Sequence, residues 1–315
     1  MIRGGAIGDF ILTLPAIKAL REAHPNAHIE ILGYKHIAAL AENRFYTEAV
    51  RSIESAQLLR FCAKDSDLSP ELANYFAGFD LVISYLYDPD SIFEDNLRRS
   101  GVKKMIRGPA KIDNGSHATR QLVQPIEELG ISISDFAPRV FPSKQDRHGA
   151  RDFLAGLDTP SPNWTGVVAF HPGSGSDNKN WPLQNWINLG NLLLQSYPGS
   201  LLIVSGEADQ DQNRRLESIW QDPRVRFATS LPLPKLAAVV EGTIFVGHDS
   251  GISHLAAAAG AKSILLFGPT DPAVWAPLNE NARVIRAPDG ELGRLDVELV
   301  REALDQELMR IGINT

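Results

Sequence analysis

Asp249, Ser250, Gly251 and His254 have the types and spacing of an anion-binding turn. They lie in the run V-G-H-D-S-G-I-S-H-L-A-A-A-A-G-A-K-S-I-L-L-F-G-P-T-D-P, Val246 to Pro272. The pattern predicts a strand ending at Gly247, a turn, a helix from about Gly251 and a second buried strand, Ser263 to Phe267. At such a turn, backbone N–H groups point outward and the helix dipole favours an anion. Asp249 or Ser250 can cap the helix. His254 follows Gly251 by about one helical turn, so it is either a ligand to the same anion or a surface histidine. Two other sets of residues stand upstream. Asp9 ends the glycine-rich turn G-G-A-I-G-D, where its carboxylate can cap a helix or accept a proton. Ser174 and Lys179 belong to H-P-G-S-G-S-D-N-K-N-W-P, a glycine- and hydroxyl-rich turn whose N–H groups, hydroxyls and ammonium suit a phosphate. Glu207 follows the next predicted strand, where a carboxylate can hydrogen-bond a ribose or favour a helix N-terminus.

These residues need a scaffold that brings strand-to-helix turns to one edge, and the chain reads that way. Phe10 to Ala23 is a helix with Ile11, Leu14, Ile17 and Leu20 on one face, and Pro15 is placed to kink it. Strands follow at His28–Leu32, Ala49–Ile53 and Asp80–Tyr85, and a helix at His117–Leu129. Glu54 to Gly78 has no clear period and is read as a helical insertion. Strands at 166–170 and 200–204 alternate with helices at 183–195 and up to about Trp220. An amphipathic helix, 296–310, closes the chain and is a candidate to cross back over the first domain. Alternating strand and helix mean parallel sheets. The prolines between Ile131 and Pro162 mark an interdomain region, giving expected domains of 1–157 and 158–315. The glycines fit neither a dinucleotide fingerprint nor a Walker A loop, so no nicotinamide or P-loop site is expected.

Charge excludes one class of partner. The first 150 residues carry 18 Lys and Arg against 19 Asp and Glu, and the rest carry 13 against 19. Nucleic-acid binding calls for a basic surface and is not expected. An anion must instead be held by local dipoles and a few cations. One cysteine, Cys62, rules out an internal disulfide, and no signal peptide is read at the start of the chain. Arg98, Arg99, Lys103, Lys104, Arg107 and Lys111 fall within 14 residues without an acid among them. They form either a solvated loop or a dock for an anionic acceptor or a phosphate-rich membrane surface.

The three blocks G-A-I-G-D, H-P-G-S-G-S-D-N-K-N-W-P and H-D-S-G-I-S-H-L-A-A-A-A-G…F-G-P-T-D-P, in that order, resemble glycosyltransferase family 9, the ADP-heptose:lipopolysaccharide heptosyltransferases. The resemblance implies an α/β GT-B fold: two Rossmann-like domains facing a cleft. It implies inverting transfer of a heptose from ADP-heptose to a hydroxyl of a lipopolysaccharide core, with no cofactor or obligatory metal. Asp9 then matches the general base, Ser174 and Lys179 the diphosphate contacts, and Glu207 the ribose contact. Asp249, Ser250, Gly251 and His254 match the late donor motif. The partners implied are a nucleotide-sugar donor and an anionic glycolipid, in the cytoplasm or on the cytoplasmic face of the inner membrane. Two departures stand out. Only Met1-Ile2 precede Arg3, where the family has four or five apolar residues, and S-G-I-S-H stands where P-M-H is common after the glycine. Other readings are a GT-B transferase or epimerase using another nucleotide sugar, a heptosyltransferase acting on protein, and a non-catalytic nucleotide-sugar binder.

Overall fold

The computed structural model describes residues 1–157, 166–206 and 210–312. Contacts divide the chain into two units, Met1–Phe136 and Ala137–Thr315. The division lies 21 residues before the expected 157, and the packing of the intervening segment explains why. Ser143 caps the helix Lys144–Leu154 with a full capping box, its Oγ accepting from Asp146 N–H at 3.1 Å and Asp146 Oδ2 accepting from Ser143 N–H at 2.7 Å. That helix packs on the helix Leu233–Val240, and Arg147 pairs both ways with Glu241 at 2.7 Å. Val140 N–H donates to Ala258 O at 2.9 Å. Residues 137–157 therefore belong to the second unit.

The first unit is a five-stranded parallel sheet of β1 (Ile2–Arg3), β2 (Glu30–Gly33), β3 (Ala49–Ser52), β4 (Val82–Ser84) and β5 (Met105–Arg107), in the order β3-β2-β1-β4-β5. The chain leaves β1 towards β3, then returns to lay β4 on the other side of β1. That reversal opens a crevice at the carboxyl ends of β1 and β4, the position at which ligands bind in such sheets. Residues 54–78 are the crossover that makes the reversal, not an insertion. They form the helices Ala56–Leu59 and Pro70–Ala77 with a 3-10 turn, Arg60–Cys62, between. Phe61 and Phe76, with centroids 5.1 Å apart, pack with Leu58, Phe93, Leu97 and Val82 in one core. Their period was hidden because the cover is built from three short pieces. The helix Ile7–Ala23 runs unbroken through Pro15.

The second unit is a six-stranded parallel sheet of β6 (Val168–His171), β7 (Leu201–Ser205), β8 (Val225–Thr229), β9 (Ile244–His248), β10 (Lys262–Phe267) and β11 (Ala282–Arg286), ordered β11-β10-β9-β6-β7-β8. Its central strands are buried on both faces, which is why they read as continuous apolar runs. Phe170, Ile203, Val246 and Leu266 share a core with Trp181, Trp186, Leu193, Leu304 and Leu308. The closing helix, Val297–Arg310, packs on the helix Leu183–Ser196 and on β9 and β10, all within its own unit. Here the order reverses between β6 and β9.

Candidate active site

The crevice between β6 and β9 gathers most of the second unit's candidates. β6 and β9 are paired, with His171 opposite Gly247, so the turns after them lie side by side. The turn after β6 carries Ser174 and Lys179, and the turn after β9 carries Asp249. Lys179 Nζ meets Asp249 Oδ2 at 2.6 Å, with the aspartate 9% exposed and the lysine 31%. Asp249 is therefore not the helix cap. Ser250 is: its Oγ accepts from Ser253 N–H at 3.2 Å, and the helix Gly251–Ala258 begins with the next residue. Ser174 Oγ donates to Ser176 O at 2.7 Å and shapes the loop from within. His254 is buried at 4% exposure, not a surface residue. Glu207 lies outside the described residues.

His248, missed in the sequence, sits beneath both turns. It is fully buried, with the Trp186 ring edge-on at 5.3 Å. Trp181 N–H donates to its Nε2 at 2.8 Å. Nε2 is then the acceptor, so the proton is on Nδ1, which donates to Gly173 O at 3.3 Å. Burial drives its pKa down to about 3; nearby His171 pushes the same way, and the Gly173 bond and Asp249 only partly oppose them. A folded-state pKa below the unfolded 6.5 means that the unfolded chain binds the extra proton between those values. The stabilisation is thus complete above pH 6.5 and is lost as pH falls towards 3. Between pH 6 and 5, wild-type protein is expected to lose about 1.2 kcal/mol through this group. Urea titrations at both pH values, on wild type and His248→Asn, check this: the gap between the two should narrow at pH 5. A constant gap would contradict the neutral, buried imidazole.

Asp9 holds the equivalent position in the first unit, in the first turn of the helix that follows β1, where that sheet's order reverses. The helix cap is Ala6 and Asp9 is its third helical residue. Alanine has no side-chain acceptor, so only half of a capping box exists: Asp9 Oδ2 accepts from Ala6 N–H at 2.9 Å. Its Oδ1 lies 3.4 Å from Arg3 Nη2. Arg3 also donates from Nε and Nη2 to Asp9 O, at 3.3 and 3.2 Å, and stacks on Tyr85 at 5.6 Å. Burial lowers the Arg3 pKa, against the opposing pull of Asp9, yet the guanidinium stays a cation. Gly5 makes the turn possible: φ is +97°, and a Cβ there would stand 2.7 Å from Asp9 Oδ2. The signal for Arg3 was its place at a strand end beside the aspartate's turn; for His248, its place directly before Asp249.

The six basic residues do not form one patch. Lys103 and Lys104 precede β5, whereas Arg107 ends it and Lys111 follows, so the pairs stand at opposite edges of the sheet, about 10 Å of strand apart. Arg98 and Arg99 close a helix, Ile92–Arg99, that runs back from the carboxyl edge. Arg98 pairs with Glu94 at 2.6 Å, and Arg107 pairs with Glu94 and with Asp88. Burial pushes the Glu94 pKa up, but the bonds from both arginines prevail and hold it low. Arg99 donates to Asn96 Oδ1 at 2.7 Å. Lys111 lies 4.3 Å over the ring of the exposed Tyr87. A cavity of about 630 Å3, bordered by Leu20, Ile29, Phe79, Leu81 and Lys104, opens at the amino edge of the sheet, the edge away from Asp9.

Comparison with known proteins fits this arrangement. Residues 116–298 match the family described as Glycosyltransferase family 9 (heptosyltransferase). Lipopolysaccharide heptosyltransferase 1 of Escherichia coli O18:K1:H7 is 30% identical over 158 residues, 50% of this chain and 47% of its own. The chain thus spans about half the length of that curated relative in the match. Lipopolysaccharide heptosyltransferase 3 of Escherichia coli is 22% identical over 87% of this chain and 84% of its own. Among solved structures, a glycosyl transferase family 9 protein from Veillonella parvula superposes with a TM-score of 0.81 at 19% identity, covering 98% of this chain and 96% of that one. E. coli heptosyltransferase WaaC with ADP superposes at 0.71 and 20%, covering 97% and 98%. The same enzyme with ADP-2-deoxy-2-fluoro heptose gives 0.68 and 21%, over the same shares. Two parallel Rossmann-like sheets, matched along nearly the whole chain, make this a GT-B fold, and the chain belongs to glycosyltransferase family 9.

Proposed function

We propose that this chain is an inverting glycosyltransferase that moves a heptose from ADP-heptose to a hydroxyl of a lipopolysaccharide core acceptor. The observation that carries this is the meeting of Lys179 and Asp249 where the second sheet reverses its order, beside the Ser174 turn and the N-terminus of the helix Gly251–Ala258. Such a place binds a diphosphate through N–H groups, a hydroxyl, a helix dipole and an ammonium. In the reaction, the acceptor oxygen forms its bond to the anomeric carbon as the bond from that carbon to the phosphate oxygen breaks. Asp9 takes the acceptor proton, and ADP leaves with the electron pair. Attack and departure on opposite faces invert the anomeric centre. Lys179, Ser174 and the helix N-terminus stabilise the departing charge, so no metal is required. Relatives named for lipopolysaccharide, and one solved with an ADP-heptose analogue, support this donor and acceptor.

The test is calorimetry with ADP, UDP and GDP, then turnover of ADP-heptose with a lipopolysaccharide core acceptor, in the presence and absence of EDTA. ADP preference with EDTA-insensitive turnover is expected. UDP preference without acceptor-dependent turnover would instead favour an epimerase. The glycolipid acceptor puts the reaction at the cytoplasmic face of the inner membrane; no described helix is long and apolar enough to cross a membrane.

Of the basic residues, Arg107 and Lys111 share the carboxyl edge with Asp9, and we assign them to the acceptor's anionic groups. Lys111→Gln with Arg107→Gln is expected to raise acceptor KM by about 3- to 10-fold, as for weak, solvent-exposed ion pairs. The salt dependence of the rate should fall with it. Lys103→Gln with Lys104→Gln should change neither. Equal responses of the two double variants would contradict the assignment.

A further inference from the structure

The loop from Gly173 to Trp181 carries Ser174 and Lys179, and Gly175 to Asn178 within it are exposed. Its internal bonds are few: Ser174 Oγ to Ser176 O, Ser176 N–H to Ser174 Oγ, Lys179 N–H to Ser176 O and Asn180 N–H to Asp177 O. None of these ties the loop to the sheet. One side chain reaches the backbone at both ends; the Trp181 end is also held by its buried indole, whose Nε1–H donates to Leu295 O at 2.9 Å, and Lys179 by Asp249, while the Gly173 end has His248. Trp181 N–H donates to His248 Nε2 at 2.8 Å, and His248 Nδ1–H donates to Gly173 O at 3.3 Å. The two backbone groups have opposite polarity, and a neutral imidazole offers one acceptor and one donor at opposite ends of a rigid ring. Trp186, edge-on at 5.3 Å and 89°, fixes the plane of that ring. His248 is also the residue before Asp249, so the same strand end that clamps the loop presents the partner of Lys179.

We propose that His248 is a positioning residue, a staple that holds both ends of the 173–181 loop so that Ser174 and Lys179 are preformed for the donor diphosphate. It rests on the donor reading given above. Without the staple the Gly173 end and the backbone at Trp181 lose their common anchor, and the added freedom of the loop between them is taken from affinity. A packing role alone would leave ADP affinity unchanged in whatever protein remained folded.

The experiment joins NMR on the unaltered protein to calorimetry on variants. In wild type, imidazole 15N shifts should identify His248 as neutral and protonated at Nδ1, with the Trp181 amide protected from exchange. An Nε2–H tautomer or a rapidly exchanging Trp181 amide would overturn the staple without any variant. His248→Leu makes neither bond, and should weaken ADP binding by about tenfold or more while hastening exchange of the 174–181 amides. His248→Asn can still donate to Gly173 O, and should fall between. A folded His248→Leu protein that binds ADP as wild type does would sink the proposal. Failure of wild type to bind ADP would sink the donor reading instead, and exchange of the loop amides would still decide whether His248 holds the loop.

Discussion

Asp9→Asn is expected to lower turnover by about 10²- to 10⁴-fold, the usual contribution of a positioned general base. ADP affinity and melting temperature should stay close to wild type. The geometry makes this substitution clean. Asp9 Oδ2 accepts from Ala6 N–H at 2.9 Å, a bond that an asparagine amide oxygen can also accept. Asparagine is nearly isosteric and fits beside Gly5, where added volume would not. It loses the ability to take a proton and the charge that faces Arg3 at 3.4 Å, a partly exposed pair worth about 1 kcal/mol or less. Asp9→Ala, in contrast, leaves the Ala6 N–H without its partner and should cost about 0.5–1.5 kcal/mol of stability, one hydrogen bond, besides the loss of turnover. Steady-state rates and thermal melts on both variants separate base from cap. Near-normal turnover in the asparagine variant would end the assignment of Asp9 as the base.

Lys179→Ala should weaken ADP binding by about 1.5–3 kcal/mol, or about 10- to 150-fold in Kd, the worth of a hydrogen bond to a charged group. The Lys179–Asp249 pair adds a second consequence. With the ammonium gone, Asp249 stands nearly buried without the partner at 2.6 Å that balances it, in the place where the diphosphate should bind. Part of the loss is then repulsion from Asp249 and not missing attraction from Lys179. Asp249→Asn in the Lys179→Ala background should recover some affinity, and the four proteins form a double-mutant cycle. Calorimetry with ADP at fixed salt gives the coupling energy. Unchanged ADP affinity in Lys179→Ala would remove that lysine from the site, and additive effects would remove its link to Asp249.

The sequence by itself determined the alternation of strand and helix, the parallel sheets and the order of the chemical blocks. These are local properties: apolar period, glycine turns and helix starts are written within a few residues of where they act. It also brought Asp9, Lys179 and Asp249 forward, because each stands in a turn between a strand and a helix. Only the tertiary structure decided what those residues do to one another. Lys179 and Asp249 are 70 residues apart, and their pairing follows from β6 lying against β9, a matter of strand order. Ser250, not Asp249, became the cap because Asp249 had a distant cation to meet. The basic run dissolved for a related reason: β5 carries Lys103 and Lys104 to one edge and Arg107 and Lys111 to the other, and Glu94 and Asp88, outside the run, take up Arg98 and Arg107. The unit boundary fell at Phe136 because the helix Lys144–Leu154 found its partner at Leu233–Val240, some 80 residues on. Arg3 and His248 went unread because each acts by burial, and burial belongs to the packed sheet, not to any stretch of neighbouring residues.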